Sequence, residues 1–158
     1  MLLVTRVLPN PAGKDRQPPF GPTNEQLNNE WLEFTNVGNG PLSLVGVVLF
    51  HYTFTAACQN TGEERLMGFQ GALEARHSVR VHTGPGVDWV DGTLHHLYAN
   101  RANFAWNNAC SDTAVLRNGQ GSLIDWAAYD RHPPEGVILD RVPGTNRLAV
   151  TVSAYVRR

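Results

Sequence analysis

The stretch NEWLEFTNVGNGPLSLVGVVL, residues 29–49, contains the clearest pattern for the fold. In its first third, apolar and polar side chains alternate. Leu32 and Phe34 lie on one face of the pattern, and Glu33 and Thr35 lie on the other. A period of two predicts a β-strand with one buried face. The glycine- and asparagine-rich run that follows predicts a turn.

The rest of the chain has the same strand-rich character. Residues 42–52, LSLVGVVLFHY, are nearly all apolar, which predicts one long buried strand with a bulge or a close approach at Gly46. No segment keeps apolar residues at helical spacing for three turns, and the best helix candidate, residues 70–76, is short and glycine-flanked. Further short strands are predicted over residues 2–8, 65–69, 78–83 and 147–156. Such a series indicates an all-β sandwich or barrel.

The stretch WNNACSDTAVLRNGQGSLIDW, residues 106–126, combines residue types that active sites use. Its second part predicts strand, turn and strand, with Asn118-Gly119 supplying the positive φ of a tight hairpin. In the run NNACSD, the asparagine and aspartate side chains are expected to bond nearby backbone amides. Trp106 is interpreted as a large core or rim residue. A structural hairpin therefore explains this stretch without catalysis.

Composition places limits on compartment and partners. The chain has 158 residues and a net charge of −1, which suits one globular domain and offers no general attraction for nucleic acid or membrane. No apolar run is long enough to span a bilayer. Cys58 and Cys110 lie in no CxxC motif and are predicted to be reduced thiols, with one disulfide bridge between them left open as the alternative. The cytoplasm is the favoured location, and a secreted origin after removal of a signal peptide is left open.

Motifs for catalysis and cofactor binding are absent from the sequence. There is no GxSxG, HExxH, GxGxxG or Walker loop. The adjacent His95 and His96 face opposite sides of a strand and make a poor ligand pair, so no metal site is predicted. Cys110 precedes a strand and not a helix, which disfavours a reactive thiolate. We therefore expect no catalytic residues, no cofactor and no enzymatic activity.

A resemblance to a known family rests on several motifs in order. NEWLEFTNVGNGPLSLVGVVL resembles the N-terminal part of the lamin tail domain. SVRVHTGPG is similar to the family's mid-domain strand and glycine turn, and FAWNNACSDTAVLRNGQGSLID is similar to its tryptophan-containing loop and final hairpin. The positions that carry the first motif are Asn29, Glu30, Trp31, Glu33, Asn36, Leu44 and Gly46.

The resemblance implies a fold and a kind of function. It implies an immunoglobulin-like β-sandwich over residues 1–129. Residues 130–158 are predicted to be an extension, and the alternation within residues 147–156 predicts that it adds one further strand to the same domain. It also implies a stand-alone, bacterial, non-catalytic interaction or structural module, with protein binding or targeting as its role. The family has no catalytic residues to carry over. The proline-rich loop of residues 9–29 and the tail after Tyr129 depart from the family pattern.

Candidate binding residues follow from the strand at residues 78–83. Its alternation places Ser78, Arg80 and His82 outward as an accessible row. Arg101 and Arg117 are expected to extend this row, so Arg80, His82, Arg101 and Arg117 are the predicted binding residues.

The partner is predicted to be an unidentified protein, and the oligomeric state is left open. The first alternative is a nucleic-acid-binding module, which requires these arginines to gather on one face. The second is a small hydrolase with a site at residues 107–112.

Overall fold

The computed structural model describes residues 1–16 and 18–151. Within these residues the chain forms thirteen strands and one short helix, α1 (Asn24–Asn28). The strands are β1 (Leu2–Leu8), β2 (Trp31–Asn36), β3 (Leu42–Ser43), β4 (Val48–Phe54), β5 (Asn60–Gly68), β6 (Ala72–Leu73), β7 (Ser78–His82), β8 (Trp89–Asp91), β9 (Leu94–Tyr98), β10 (Asp112–Arg117), β11 (Leu123–Tyr129), β12 (Leu139–Arg141) and β13 (Leu148–Ala149).

Two main sheets form the sandwich. The larger sheet has the strand order β13-β12-β1-β2-β7-β9-β8, and the smaller has the order β11-β10-β4-β5. A two-stranded ribbon, β3-β6, accompanies them. Strands β7 and β9 pair in parallel, whereas the other paired strands of the two main sheets run antiparallel. The chain is therefore an all-β sandwich, as the strand pattern predicted, and it has the immunoglobulin-like fold that the resemblance implied.

The core lies between the two main sheets. Phe34 and Val79 of the larger sheet are buried with Leu49 and Leu116 of the smaller one. Trp106 joins the same core with only 3% of its surface exposed, so its interpretation as a core residue is confirmed. The inward direction of Val79 follows from the strand period of two, since it alternates with half-buried neighbours along β7.

The long strand predicted over residues 42–52 is wrong. The segment is divided into β3 and β4, and Val47 N donates to Leu44 O at 3.0 Å to close a turn between them. Gly46 has a φ of +80° in this turn and lies against Gly119, so the close approach expected there is present. An apolar run does not reveal such a break because the residues on both sides of it are buried.

The hairpin predicted between β10 and β11 is present, but its turn is different. Asn118 and Gly119 do not have positive φ; Gly121 does, at +81°. The Asn118 side chain accepts hydrogen bonds from Gln120 N and Ser122 N, both at 3.0 Å. The loop is thus longer than a two-residue turn, and the asparagine side chain organises it.

The loop of residues 9–29 contains the helix α1, which was not predicted. Thr23 caps it, and the Thr23 and Gln26 side chains each bond the other's backbone amide. This capping box is visible in the sequence as Thr-x-x-Gln. Lys14 anchors the first half of the loop, because its ammonium group is buried in the domain.

The segment after Tyr129 packs on the larger sheet. Strand β12 pairs with β1, and β13 pairs with β12. The predicted strand over residues 147–156 falls partly on β13, and its residues 152–156 lie outside the described residues. The division of the chain at residue 129 stays a prediction. No helix in the described part of the chain is long and apolar enough to cross a membrane.

The prediction of two reduced thiols is wrong. Cys58 and Cys110 form a disulfide, with their Cα atoms 5.4 Å apart. The bridge joins the turn between β4 and β5 to the loop before β10. The two cysteines are separated by 52 positions, and strands β4 and β10, which are paired side by side, bring them together. Sequence spacing alone does not show this proximity.

Candidate binding surface

The predicted row on β7 lies on the outer face of the larger sheet, at one end of it. The neighbouring strand β9 is in parallel register, with His82 opposite Tyr98 and Arg80 opposite His96. Strand β8 follows at the edge, with Trp89 opposite His96. Residues opposite one another on paired strands share a face of the sheet. We call Trp31, Arg80, His82, Trp89, His96 and Tyr98 the aromatic–histidine face.

Aromatic rings on this face are stacked in a continuous row. The Trp89 indole lies parallel to His96, with ring centroids 4.0 Å apart and 2° between the planes. His96 stacks on His82 at 5.1 Å, and His82 stacks on Tyr98 at 4.8 Å. Trp89 Nε1 also donates to Tyr98 Oη at 3.1 Å. These contacts hold Trp89 in a defined orientation although half of its surface is exposed.

The hydrogen bonds of His82 define the protonation of the histidine pair. His82 Nδ1 lies 2.7 Å from Asn28 O, and because a carbonyl only accepts, Nδ1 is the donor. In a neutral His82, Nε2 then accepts from His96 Nδ1, 2.8 Å away. This leaves His96 Nε2 without a proton, and it has no partner among the described residues. Burial lowers the pKa of both histidines, and Arg80 lowers them further, which favours this neutral state.

Arg80 is less open than the sequence suggested. Its Nε donates to Glu33 Oε1 at 2.6 Å, and its guanidinium carbon lies 3.9 Å from the centroid of the Trp31 ring. Only 22% of the Arg80 side chain is exposed, and Glu33 is buried. The expectation that Arg80 is openly accessible in the outward row of β7 is therefore wrong. Its neighbours across the strands are Glu33 and His96, which neither pattern nor spacing on β7 reveals.

Arg101 and Arg117 do not extend the row on β7. Each pairs with β5 of the smaller sheet: Arg101 Nη2 lies 3.0 Å from Glu64 Oε1, and Arg117 Nη2 lies 2.8 Å from Glu63 Oε1. Glu63 and Glu64 are adjacent on the strand and so point to opposite faces. The arginines therefore do not gather on one face, and carboxylates neutralise them.

Trp89, His96 and Tyr98 are the residues of this face that sequence reasoning missed. The alternation Trp-x-Asp, then Gly92, then Leu-x-His-x-Tyr indicates the β8–β9 hairpin. Gly92 has a φ of +60° in its turn. The pairing of β9 with β7 is parallel and needs a connection outside the hairpin, so the local sequence does not show which strand β9 joins.

The loop considered for a hydrolase holds a structural network. Asp112 accepts hydrogen bonds from the backbone amides of Tyr52, Asn107 and Thr113, as expected for this asparagine- and aspartate-rich run. His51 contacts Asp112 through Nδ1 at 2.9 Å and Glu64 through Nε2 at 3.0 Å. Burial by itself would lower the pKa of His51, but these carboxylates raise it overall.

The histidine and the cysteine that a hydrolase site here would use are both engaged in structural contacts. Both ring nitrogens of His51 contact carboxylates, and the sulfur of Cys110 is in the disulfide. A catalytic histidine needs a nitrogen free to take a proton, and a thiol enzyme needs a thiolate. Across residues 1–16 and 18–151, no three histidine, cysteine or acidic side chains are grouped so as to hold a metal ion.

The fold defines the class of protein: an immunoglobulin-like sandwich with an aromatic face at the edge of its larger sheet. The family model for the lamin tail domain matches residues 2–131. The chain therefore belongs to the lamin tail domain family, a family of non-enzymatic immunoglobulin-like domains. No curated protein matches the chain.

Proposed function

We propose that this domain is a non-catalytic protein-binding module, and that strand β8 and the aromatic–histidine face are its docking surface. The observation that carries the proposal is the environment of Trp89. This residue is half exposed, yet its indole ring stacks on His96 and donates a hydrogen bond to Tyr98. Tryptophan, tyrosine and arginine are the residues that dominate binding energy at protein interfaces. A pre-ordered indole loses little conformational entropy when a partner covers it.

Strand β8 supports a particular mode of binding. Among the described residues it is the last strand of the larger sheet, so its outer edge carries backbone groups that no described strand pairs with. Trp89 and Val90 on this strand are 50% and 60% exposed. An extended peptide that adds a strand at such an edge gains backbone hydrogen bonds and contacts the side chains of the edge strand.

The charges around β8 indicate the chemistry of the partner. Asp88 and Asp91 flank the two exposed apolar residues and are themselves exposed. Neither forms an ion pair with any described residue. Electrostatic complementarity then favours a partner segment that alternates apolar and basic residues.

The alternatives are less well supported. The predicted binding arginines are paired with Glu33, Glu63 and Glu64, and the net charge of the chain is −1, which disfavours a nucleic-acid surface. In the loop at residues 107–112 the sulfur of Cys110 is in the disulfide and is not available as a nucleophile, which disfavours a hydrolase. Stand-alone occurrence and a bacterial origin stay predictions.

The disulfide changes the expected compartment. Disulfide bonds persist in oxidising surroundings, so folding outside the cytoplasm is favoured.

Labelled peptides test this proposal directly. A peptide of alternating apolar and basic residues should bind the purified domain, as measured by fluorescence anisotropy. Trp89→Ala should weaken binding about tenfold or more, the effect of losing an interface hot spot. N-methylation of alternate peptide amides should abolish binding, because it removes the donors that strand addition uses.

Trp126→Ala is the matched control. Trp126 is similarly exposed, at 41%, but lies on the smaller sheet. This variant should bind the peptide like the unmodified domain. Equal weakening in both variants, or equal binding of a peptide with acidic residues in place of the basic ones, would refute the proposed surface. Binding that depends on a nucleic acid and not on the peptide would support the alternative module.

A further inference from the structure

Lys14, the only lysine of the chain, is buried in an unusual position. Its Nζ lies 2.7 Å from the carboxylate oxygen Oε2 of Glu30 and 2.7 Å from the carbonyl oxygen of Pro9. A third acceptor is the carbonyl oxygen of Trp106. The amine is thus held at a fixed place between the loop of residues 9–29 and the segment before β10.

Glu30 is fully buried beside this amine. Its other oxygen, Oε1, accepts from Thr83 Oγ1 at 2.6 Å and from Ala105 N at 2.8 Å. Burial raises the pKa of Glu30, although Lys14 and these hydrogen bonds act in the opposite direction. Removal from water disfavours both charged forms of an amine–carboxylate pair. The Glu30 carboxyl group is thus placed to exchange a proton with the Lys14 amine, 2.7 Å away.

Asn108 lies on the other side of the amine. Its Oδ1 is 3.2 Å from Lys14 Nζ. Its Nδ2 is buried and has no hydrogen-bond partner among the described residues. Phe104 adds an aromatic wall, with its ring centroid 5.1 Å from Nζ. A buried amide nitrogen that lacks a hydrogen-bond partner destabilises the folded state. Loss of this nitrogen as a leaving group would remove the unfavourable group.

We propose that Lys14 and Asn108 react to form an intramolecular isopeptide bond, with Glu30 as the proton carrier. The three side chains place an amine, a carboxamide and a proton acceptor in one enclosed space. The 3.2 Å distance between Lys14 Nζ and Asn108 Oδ1 places the amine beside the carboxamide, and groups held next to each other in this way gain a large effective concentration. The reaction modifies the chain itself and needs no external substrate, so it agrees with a non-enzymatic module.

The proposed reaction needs no oxidant and no cofactor. After Lys14 gives a proton to Glu30, the lone pair of Nζ attacks Cγ of Asn108, and the carbonyl π electrons move to Oδ1. Glu30 then passes its proton to Nδ2, which leaves as ammonia when the Oδ1 electrons re-form the carbonyl. The remaining excess proton on Nζ returns to Glu30. One C–N bond forms, one breaks, and one ammonia molecule is released.

Intact-mass spectrometry of the purified full chain decides this proposal. The disulfide is first reduced and alkylated so that cysteine oxidation does not affect the mass. The expected mass is that of the sequence with both cysteines alkylated, minus one ammonia molecule. Proteolysis should give a branched peptide that joins the segment containing Lys14 to the segment containing Asn108. The unmodified chain is sufficient for this measurement, so the test does not depend on a variant that folds.

Variants assign the roles. Lys14→Arg, Asn108→Ala and Glu30→Gln should each have the full sequence mass. Asn107→Ala, which removes the neighbouring amide that bonds Tyr52 O and Asp112, should keep the ammonia deficit. A chain of full sequence mass would overturn the proposal. So would a deficit that is present while the peptides containing Lys14 and Asn108 separate.

Discussion

Removal of the Cys58–Cys110 disulfide should destabilise the domain chiefly through the unfolded state. The bridge spans a sequence separation of 52. In the chain-entropy relation, a closed loop of that length lowers the entropy of the unfolded chain by about 14 cal/mol/K, or about 4 kcal/mol at 25 °C. For a chain of 158 residues, 4 kcal/mol corresponds to a fall in melting temperature of about 12 °C.

The folded structure should survive this change. The loop before β10 is also held by Asp112, which accepts from Tyr52 N and Asn107 N at 3.0 Å each. The variant Cys58→Ala/Cys110→Ala should therefore keep the near-ultraviolet circular dichroism of the unmodified protein. Urea unfolding should show a lower midpoint and a larger m-value, because the unfolded chain without the bridge exposes more surface.

Unfolding in the presence of a reducing agent provides the control. The reducing agent should lower the midpoint of the unmodified protein to that of the double variant, and it should leave the double variant unchanged. Disulfides typically contribute about 2–4 kcal/mol to the free energy of unfolding. A double variant whose free energy of unfolding lies within about 1 kcal/mol of that of the oxidised protein would therefore refute this reasoning.

Three further predictions follow from the packing. Trp106→Ala should cost about 3–5 kcal/mol in urea unfolding, as for other buried aromatic residues, and a variant that melts like the unmodified protein would place Trp106 outside the core. Arg80→Ala should lower the free energy of unfolding by about 1–3 kcal/mol, because it leaves the buried Glu33 carboxylate without its partner. The double variant Arg80→Ala/Glu33→Gln should recover part of this loss. No recovery would mean that the pair is not responsible for it. His82 and His96 have lowered pKa values in the folded protein, so these side chains bind protons more readily in the unfolded chain. The stability that the two histidines contribute is therefore complete above about pH 6.5 and is lost on acidification below it. Urea unfolding across about pH 5–7 should show a flatter dependence for His82→Gln/His96→Gln, and an unchanged slope would contradict this assignment.

Local pattern was a good guide to the strands and to their inward faces. β1 and β7 begin where the sequence predicts, and Val79 and Val81 are buried as their alternation requires. This works because the strand period of two is a property of a few consecutive residues. The capping box at Thr23 and Gln26 is also a local signal in the sequence, although the helix α1 was not predicted from it.

Local pattern was a poor guide where a turn and a continuous strand would bury the same residues. The turn between β3 and β4 has buried Leu44 and Val47 at its ends, so hydrophobicity does not separate it from a continuous strand. The hairpin turn depends on the side chain of Asn118 and on Gly121 in place of the expected Asn118-Gly119 pair. Turn type follows from loop length and strand register, which adjacent residues do not determine alone.

The sequence by itself determined the all-β class, the positions of several strands and the resemblance to the lamin tail domain. Only the tertiary structure decided which chemistry-bearing residues meet. Cys58 meets Cys110 because β4 pairs with β10, and the row of Trp89 and His82 exists because β9 lies between their strands. Such contacts join residues far apart in the chain. They depend on sheet order and register, and these are set by how the apolar faces of all the strands are buried together.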